Sequence, residues 1–138
     1  MYENLPDEAL DIIRDVLRVK KSEIANIGVL KQGMTNRSFI FTCRNKKYII
    51  RIPGEGTSFL INRQQEFDVY ETIKNKYMCD NPIYINPHNG YKITEFLPQV
   101  KTCNASNLQN VKLCMEKLRT LHNMKLQVKH TFDIFKQI

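Results

Sequence analysis

No window of the 138-residue sequence approaches the roughly 20 apolar residues that a bilayer-crossing helix requires. The amino-terminal stretch is acidic and lacks the apolar core of a secretion signal, so no stable membrane insertion is expected and a cytoplasmic location is. Cysteine is scarce and unclustered. Four residues, Cys43, Cys79, Cys103 and Cys114, form no Cys-x-x-Cys pair, and the three histidines have no metal-ligand spacing, which excludes the common zinc patterns and leaves reduced, unpaired thiols. The Gly-x-x-x-x-Gly-Lys-Ser/Thr phosphate loop is also missing. His88, His122 and His130 lack serine or cysteine partners at a spacing that implies nucleophilic catalysis.

What is present suits one globular domain. A chain of this length with 42% apolar residues can bury a real core, but two full catalytic lobes would not fit comfortably. The formal charge of +7, from 21 basic and 14 acidic residues, attracts anions such as nucleotides, phosphates or polyanionic surfaces without choosing among them. The cations are dispersed in small groups at Lys20-Lys21, Arg44 to Lys47 and Lys74 to Lys76. No basic helix, zinc pattern or stacking motif accompanies them, so nucleic acid is not expected as a partner.

Apolar residues at Leu5, Ala9, Ile12, Ile13, Val16 and Leu17 recur at helical steps, with Pro6, Asp7 and Glu8 suited to a first turn. This predicts an amphipathic helix over about 6–19 that covers one side of a sheet. Strands are expected over 26–31, 37–43 and 47–52, joined by turns at Gly33 to Asn36 and Arg44 to Lys46. A helix over 62–77 follows, with Asn62 as cap and Glu66, Tyr70, Ile73 and Tyr77 near one face. Strands over 83–86 and 91–96 flank the turn Pro87-His88-Asn89-Gly90, and a last helix spans 106–123 with an apolar stripe through Leu108, Val111, Cys114, Met115, Leu118 and Leu121. Phe132 to Ile138 has the pattern of a further apolar-faced helix opening.

Three groups of residues can carry chemistry. Gly33 allows a turn whose backbone N–H groups approach an anion, and Thr35, Asn36 and Ser38 add short polar side chains; an ordinary hairpin turn has the same pattern. Arg51 interrupts an apolar strand, where an unpaired cation is costly. It should meet a carboxylate or a ligand phosphate, Glu66 being the most economical acid, unless it lies on an edge strand facing water. Asp68 and Glu71 fall on a neighbouring, more solvated face of that helix and do not read as an acid-base pair. The backbone of Glu95, Phe96 and Leu97 could meet the edge of an adenine, with Ile50, Phe41 or Phe96 near its faces; a strand simply ending at Pro98 is the plainer alternative.

Taken in order, Gly33-Met34-Thr35-Asn36, Arg51-Ile52-Pro53-Gly54, Asn62-Arg63 followed by Glu66, Thr94-Glu95-Phe96, Leu118-Arg119-x-Leu121-His122 and Phe132-Asp133-x-Phe135 resemble the amino-terminal lobe of the choline/ethanolamine kinase family, within the aminoglycoside-phosphotransferase superfamily. The resemblance covers about residues 24–138. It implies an α+β fold, a protein-kinase-like small lobe with a five-stranded antiparallel sheet and one intervening helix, followed by the first helices of the large lobe and truncated there. The corresponding division is an amino-terminal helix at 1–22, an ATP-binding small lobe at 23–97, and a hinge strap with the start of the helical lobe at 98–138.

By that resemblance Gly33, Met34, Thr35, Asn36 and Ser38 cover ATP phosphates, Arg51 takes the place of the protein-kinase lysine, Glu66 orients it, and Glu95, Phe96 and Leu97 receive adenine. ATP with Mg2+ is the implied cofactor and a small amino alcohol the implied second substrate. The family's histidine-asparagine-aspartate catalytic segment and its later magnesium-binding aspartate do not occur among these residues, and Asp133 matches the helix opening before them. The chain by itself is therefore expected to be inactive. The alternative reading is a noncatalytic nucleotide- or anion-binding module.

Overall fold

The computed structural model describes residues 5–32 and 35–131; Gly33, Met34 and the expected helix opening at 132–138 lie outside them. Helix α1 spans Asp7–Leu17, and five strands follow: β1, Ile24–Gln32; β2, Asn36–Cys43; β3, Lys46–Pro53; β4, Pro82–Ile85; and β5, Lys92–Glu95. Helix α2, Arg63–Ile73, lies between β3 and β4, and α3, Leu108–Asn123, closes the described chain. The strands form one antiparallel sheet in the order β1-β2-β3-β5-β4.

Local chemistry explains these boundaries. Arg44 and Asn45 both take positive φ, which gives the tight two-residue turn whose twist suits the β2–β3 hairpin. At the β4–β5 turn, the Asn86 side-chain carbonyl accepts the N–H groups of His88 and Asn89. Asn62 and Asn107 cap α2 and α3 by accepting from the N–H groups of Gln65 and Asn110. Helix α2 is shorter than its sequence pattern predicts. Asn75 and Tyr77 both take positive φ, so the chain leaves the helix after Ile73 and Tyr77 is exposed rather than on its inner face.

Strand alternation divides the sheet into two faces. Phe39, Phe41 and Cys43 of β2, Ile50 and Ile52 of β3 and Ile93 of β5 point to one face, where Leu5 and the α1 residues Ala9, Leu10 and Ile13 complete an apolar core. Each large side chain sealed there contributes about 1.5–3 kcal/mol relative to exposure. Asn36, Ser38, Ile49, Arg51, Lys92 and Thr94 have the opposite parity and belong to the face where α2 lies. Helix α3 buries none of its residues, and Leu108, Met115 and Leu118 of its apolar stripe are exposed, as is Leu113 beside it.

Candidate functional site

Arg51 lies directly opposite Ser38 on one side and Lys92 on the other in the β2–β3–β5 ladder. On the α2 face these residues and Leu30, Ile49, Asp80 and Thr94 line a cavity of about 360 Å³. Glu66, in the first turn of α2, reaches the sheet with one carboxylate oxygen 2.8 Å from Arg51 Nη1 and the other 2.8 Å from Arg63 Nη1. Arg51 Nη2 donates to the Gly90 carbonyl at 3.1 Å, and Arg63 Nη2 donates to the Thr57 hydroxyl at 2.8 Å. Thr57 in turn donates to the Gly54 carbonyl at 2.8 Å. The guanidinium of Arg51 is thus aimed by one acid that is itself held by a second, more deeply buried arginine.

Gly90 makes this arrangement possible. Its φ is +74°, and a Cβ there would stand 2.6 Å from Arg63 Cδ. Burial raises the pKa of Glu66, but the bonds and charges of Arg51 and Arg63 more than offset it, so the carboxyl lies below its ordinary value. On this face two buried polar atoms, Arg51 Nε and Asn36 Oδ1, have no hydrogen-bond partner among the described residues. The Arg51 guanidinium lines the cavity, and a cation there suits an anionic ligand.

The structure draws Ser38, Arg51 and Glu66 together, with Asn36 on the same face at the end of β2. Thr35 is exposed in the bend before β2, and its carbonyl accepts the Gly54 N–H at 2.9 Å, joining the start of β2 to the end of β3. Gly33 and Met34 lie outside the described residues.

Glu95, Phe96 and Leu97 stand elsewhere. Glu95 and Leu97 line a second cavity of about 330 Å³ that shares Asp80 with the first. The Glu95 N–H donates to Asn81 O at 3.3 Å and the Phe96 N–H to Lys47 O at 3.0 Å, so both donors are already engaged; no backbone bond engages the Leu97 N–H among the described residues. The expected base-facing residues also change. Ile50 and Phe41 are fully buried on the α1 face, while Ile49 and Leu30 line the cavity; the Phe96 ring lies near the Lys47 ammonium, 5.7 Å away. The cause is strand parity: the residues that share Arg51's face are odd-numbered on β3, which admits Ile49 and rejects Ile50.

Sequence reasoning missed Arg63, Gly90, Asp80 and Lys92. Lys92, 7% exposed, is like Arg51 a cation within an apolar strand. Arg63 carried the weaker signal of standing three residues before Glu66. Among the described residues no group of three or more His, Cys, Asp or Glu could hold a metal ion. No described helix is long and apolar enough to cross a membrane. All four cysteines are free, Cys43 buried and the others exposed.

A model of the choline/ethanolamine kinase family matches residues 27–138. Two LicA proteins of Haemophilus influenzae are 27% and 26% identical over 108 and 107 residues, covering 75% and 74% of this chain but 31% and 39% of their own lengths. The chain therefore spans about a third of the length of the curated relatives it matches. Among solved structures, choline kinase LicA from Streptococcus pneumoniae superimposes with a TM-score of 0.70 at 24% identity, over 94% of this chain and 46% of that one. A LicA complex with AMP gives 0.67 at 24%, over 95% and 47%. A Plasmodium vivax ethanolamine kinase gives 0.61 at 23%, over 99% and 38%. These likenesses establish a kinase-like fold, in which the five-stranded sheet and α2 form the small lobe and α3 begins the helical lobe.

Proposed function

The chain belongs to the choline/ethanolamine kinase family, and from that premise we propose that it is the ATP-binding portion of a small-molecule kinase that transfers the γ-phosphate of ATP to the hydroxyl of choline or ethanolamine. The observation that carries this reading is the Arg51–Glu66 pair at 2.8 Å on the wall of a cavity that Ser38 also lines. A solved relative of this fold binds AMP, which favours a nucleotide as the ligand.

In this reading Arg51 neutralises phosphate charge, Glu66 fixes the direction of its guanidinium, and the turn from Gly33 through Met34, Thr35 and Asn36 to Ser38 lies over the phosphates. Leu30 and Ile49 offer apolar contact to the base, and the segment Glu95 to Leu97 receives its edge through its backbone, the Leu97 N–H included. Phosphoryl transfer depends on positioning and charge stabilisation, and this lobe supplies the nucleotide's share of both. Magnesium, when bound, would supply further neutralisation of phosphate charge. The reading takes its carboxylate ligands and the acceptor-activating aspartate from large-lobe residues other than those described. Residues 1–138 alone then bind nucleotide without transferring phosphate, in a cytoplasmic setting that keeps the four thiols reduced.

The test supplies the chain with the carboxy-terminal half of its parent and follows labelled γ-phosphate into choline and ethanolamine. Transfer that requires both pieces is expected. Nucleotide binding without transfer under those conditions would replace this reading with a noncatalytic nucleotide-binding module, and no binding to either form would end both.

A further inference from the structure

Directly across the ladder from Arg51, Lys92 carries a second buried cation into the same cavity wall. Its ammonium donates to Tyr70 Oη at 3.1 Å and to the two Asp80 carboxylate oxygens at 3.2 and 3.4 Å, and it stands 4.5 Å from the centroid of the Tyr70 ring. Tyr70 follows Glu66 by four residues, which places both on the same side of α2, one turn apart. The sheet therefore sends two adjacent cations to two adjacent turns of one helix: Arg51 to Glu66 and Lys92 to Tyr70.

The importance of this second strut follows from what α2 lacks. Its one buried residue is Arg63, and Val69 is exposed, so no fully buried apolar side chain anchors it to the strands. The turn that carries Glu66 keeps its height above the sheet through polar contacts. Asp80, in the segment after α2, neutralises Lys92, so that two like charges can stand side by side, each with its own acid.

We propose that Lys92 is a positioning residue of the nucleotide site: by holding Tyr70 it fixes the turn of α2 that carries Glu66, and through Glu66 the direction of the Arg51 guanidinium. This rests on the nucleotide-binding reading above. Its ammonium is engaged by Tyr70 and Asp80, so in this proposal its effect on binding passes through α2 to Arg51.

The test is a double-mutant cycle on the 138-residue chain, with a fluorescent ATP analogue as ligand and amide hydrogen exchange of α2 measured without ligand. Lys92→Met is expected to weaken analogue binding about three- to tenfold and to speed exchange in α2, while Lys92→Arg restores both. In an Arg51→Ala background the same substitution should change affinity by less than about twofold, because the pathway is already cut. Tyr70→Phe removes the hydroxyl alone and should reproduce the direction of both effects if Lys92→Met does not fold. Unchanged α2 exchange, or an equal loss of affinity with and without Arg51, would overturn the proposal. A wild-type chain that binds no analogue would defeat the nucleotide reading, and the exchange data would still decide whether Lys92 holds α2.

Discussion

On one face of the sheet α1 brings Ala9, Leu10 and Ile13 into a continuous apolar core with Phe39, Phe41, Ile50 and Ile93; on the other, α2 offers one buried residue, Arg63, and meets the strands through Glu66 and Tyr70. Apolar burial is non-directional and insensitive to salt or pH over ordinary ranges. The α2 face has the opposite character. Its contacts are directional, depend on ionisation and set the Arg51 guanidinium on a cavity wall, so this face can sense a change of charge while the other keeps the fold. The two helices thus divide stability from responsiveness within a single sheet.

The largest effect should come from breaking the apolar side. Phe39→Ala removes a fully buried ring and is expected to cost about 3–5 kcal/mol in urea denaturation, with nucleotide affinity preserved in whatever fraction stays folded. On the opposite face, Glu66→Gln leaves two arginines without their shared acid. It should cost about 2–4 kcal/mol, less than a fully buried pair because Arg51 and Glu66 keep 15% and 17% of their side-chain exposure, and it should also weaken nucleotide binding. The comparison is broken if Phe39→Ala reduces affinity in the folded protein or Glu66→Gln leaves it intact.

Gly90→Ala comes next, at about 1–3 kcal/mol by thermal unfolding. The added Cβ is strained at φ +74° and meets Arg63, which cannot withdraw without releasing Glu66 or Thr57. The smallest mutational effect is expected at Leu118→Ala on exposed α3, within about 0.5 kcal/mol.

Acid separates the two faces without mutation. The Glu66 carboxyl lies below its unfolded value, so its contribution is fully present above the ordinary glutamate pKa of about 4.3 and is lost as pH falls through the lower folded value. Hydrogen exchange followed from neutral to acidic pH should show α2 loosening in that window while amides of β2 and β3 stay protected. Simultaneous loss at both places would remove the distinction.

How much of this was legible depended on the kind of signal. The α1 period, the β2 and β3 alternation and the Asn-based turns act locally, and their elements appear within a few residues of the expected positions. The Arg51–Glu66 pair was readable because a cation in an apolar strand demands a partner. The end of α2 was not, because Asn75 and Tyr77 adopt left-handed backbone conformations that no Gly or Pro announces. Which residues share the face of Arg51 required knowing which strand parity meets α2, a tertiary fact; hence Ile49 rather than Ile50 lines the cavity. Gly90 beneath Arg63 is likewise a contact across 27 positions that no local pattern encodes.

The central claim, that Arg51 grips nucleotide phosphate under the guidance of Glu66, is tested most directly by titrating magnesium-ATP into wild type and Arg51→Ala by calorimetry, with circular dichroism confirming the fold of both. Loss of a charge-assisted contact of about 1.5–3 kcal/mol predicts binding weakened about ten- to hundredfold in the variant. Equal affinity in two equally folded proteins would contradict the account.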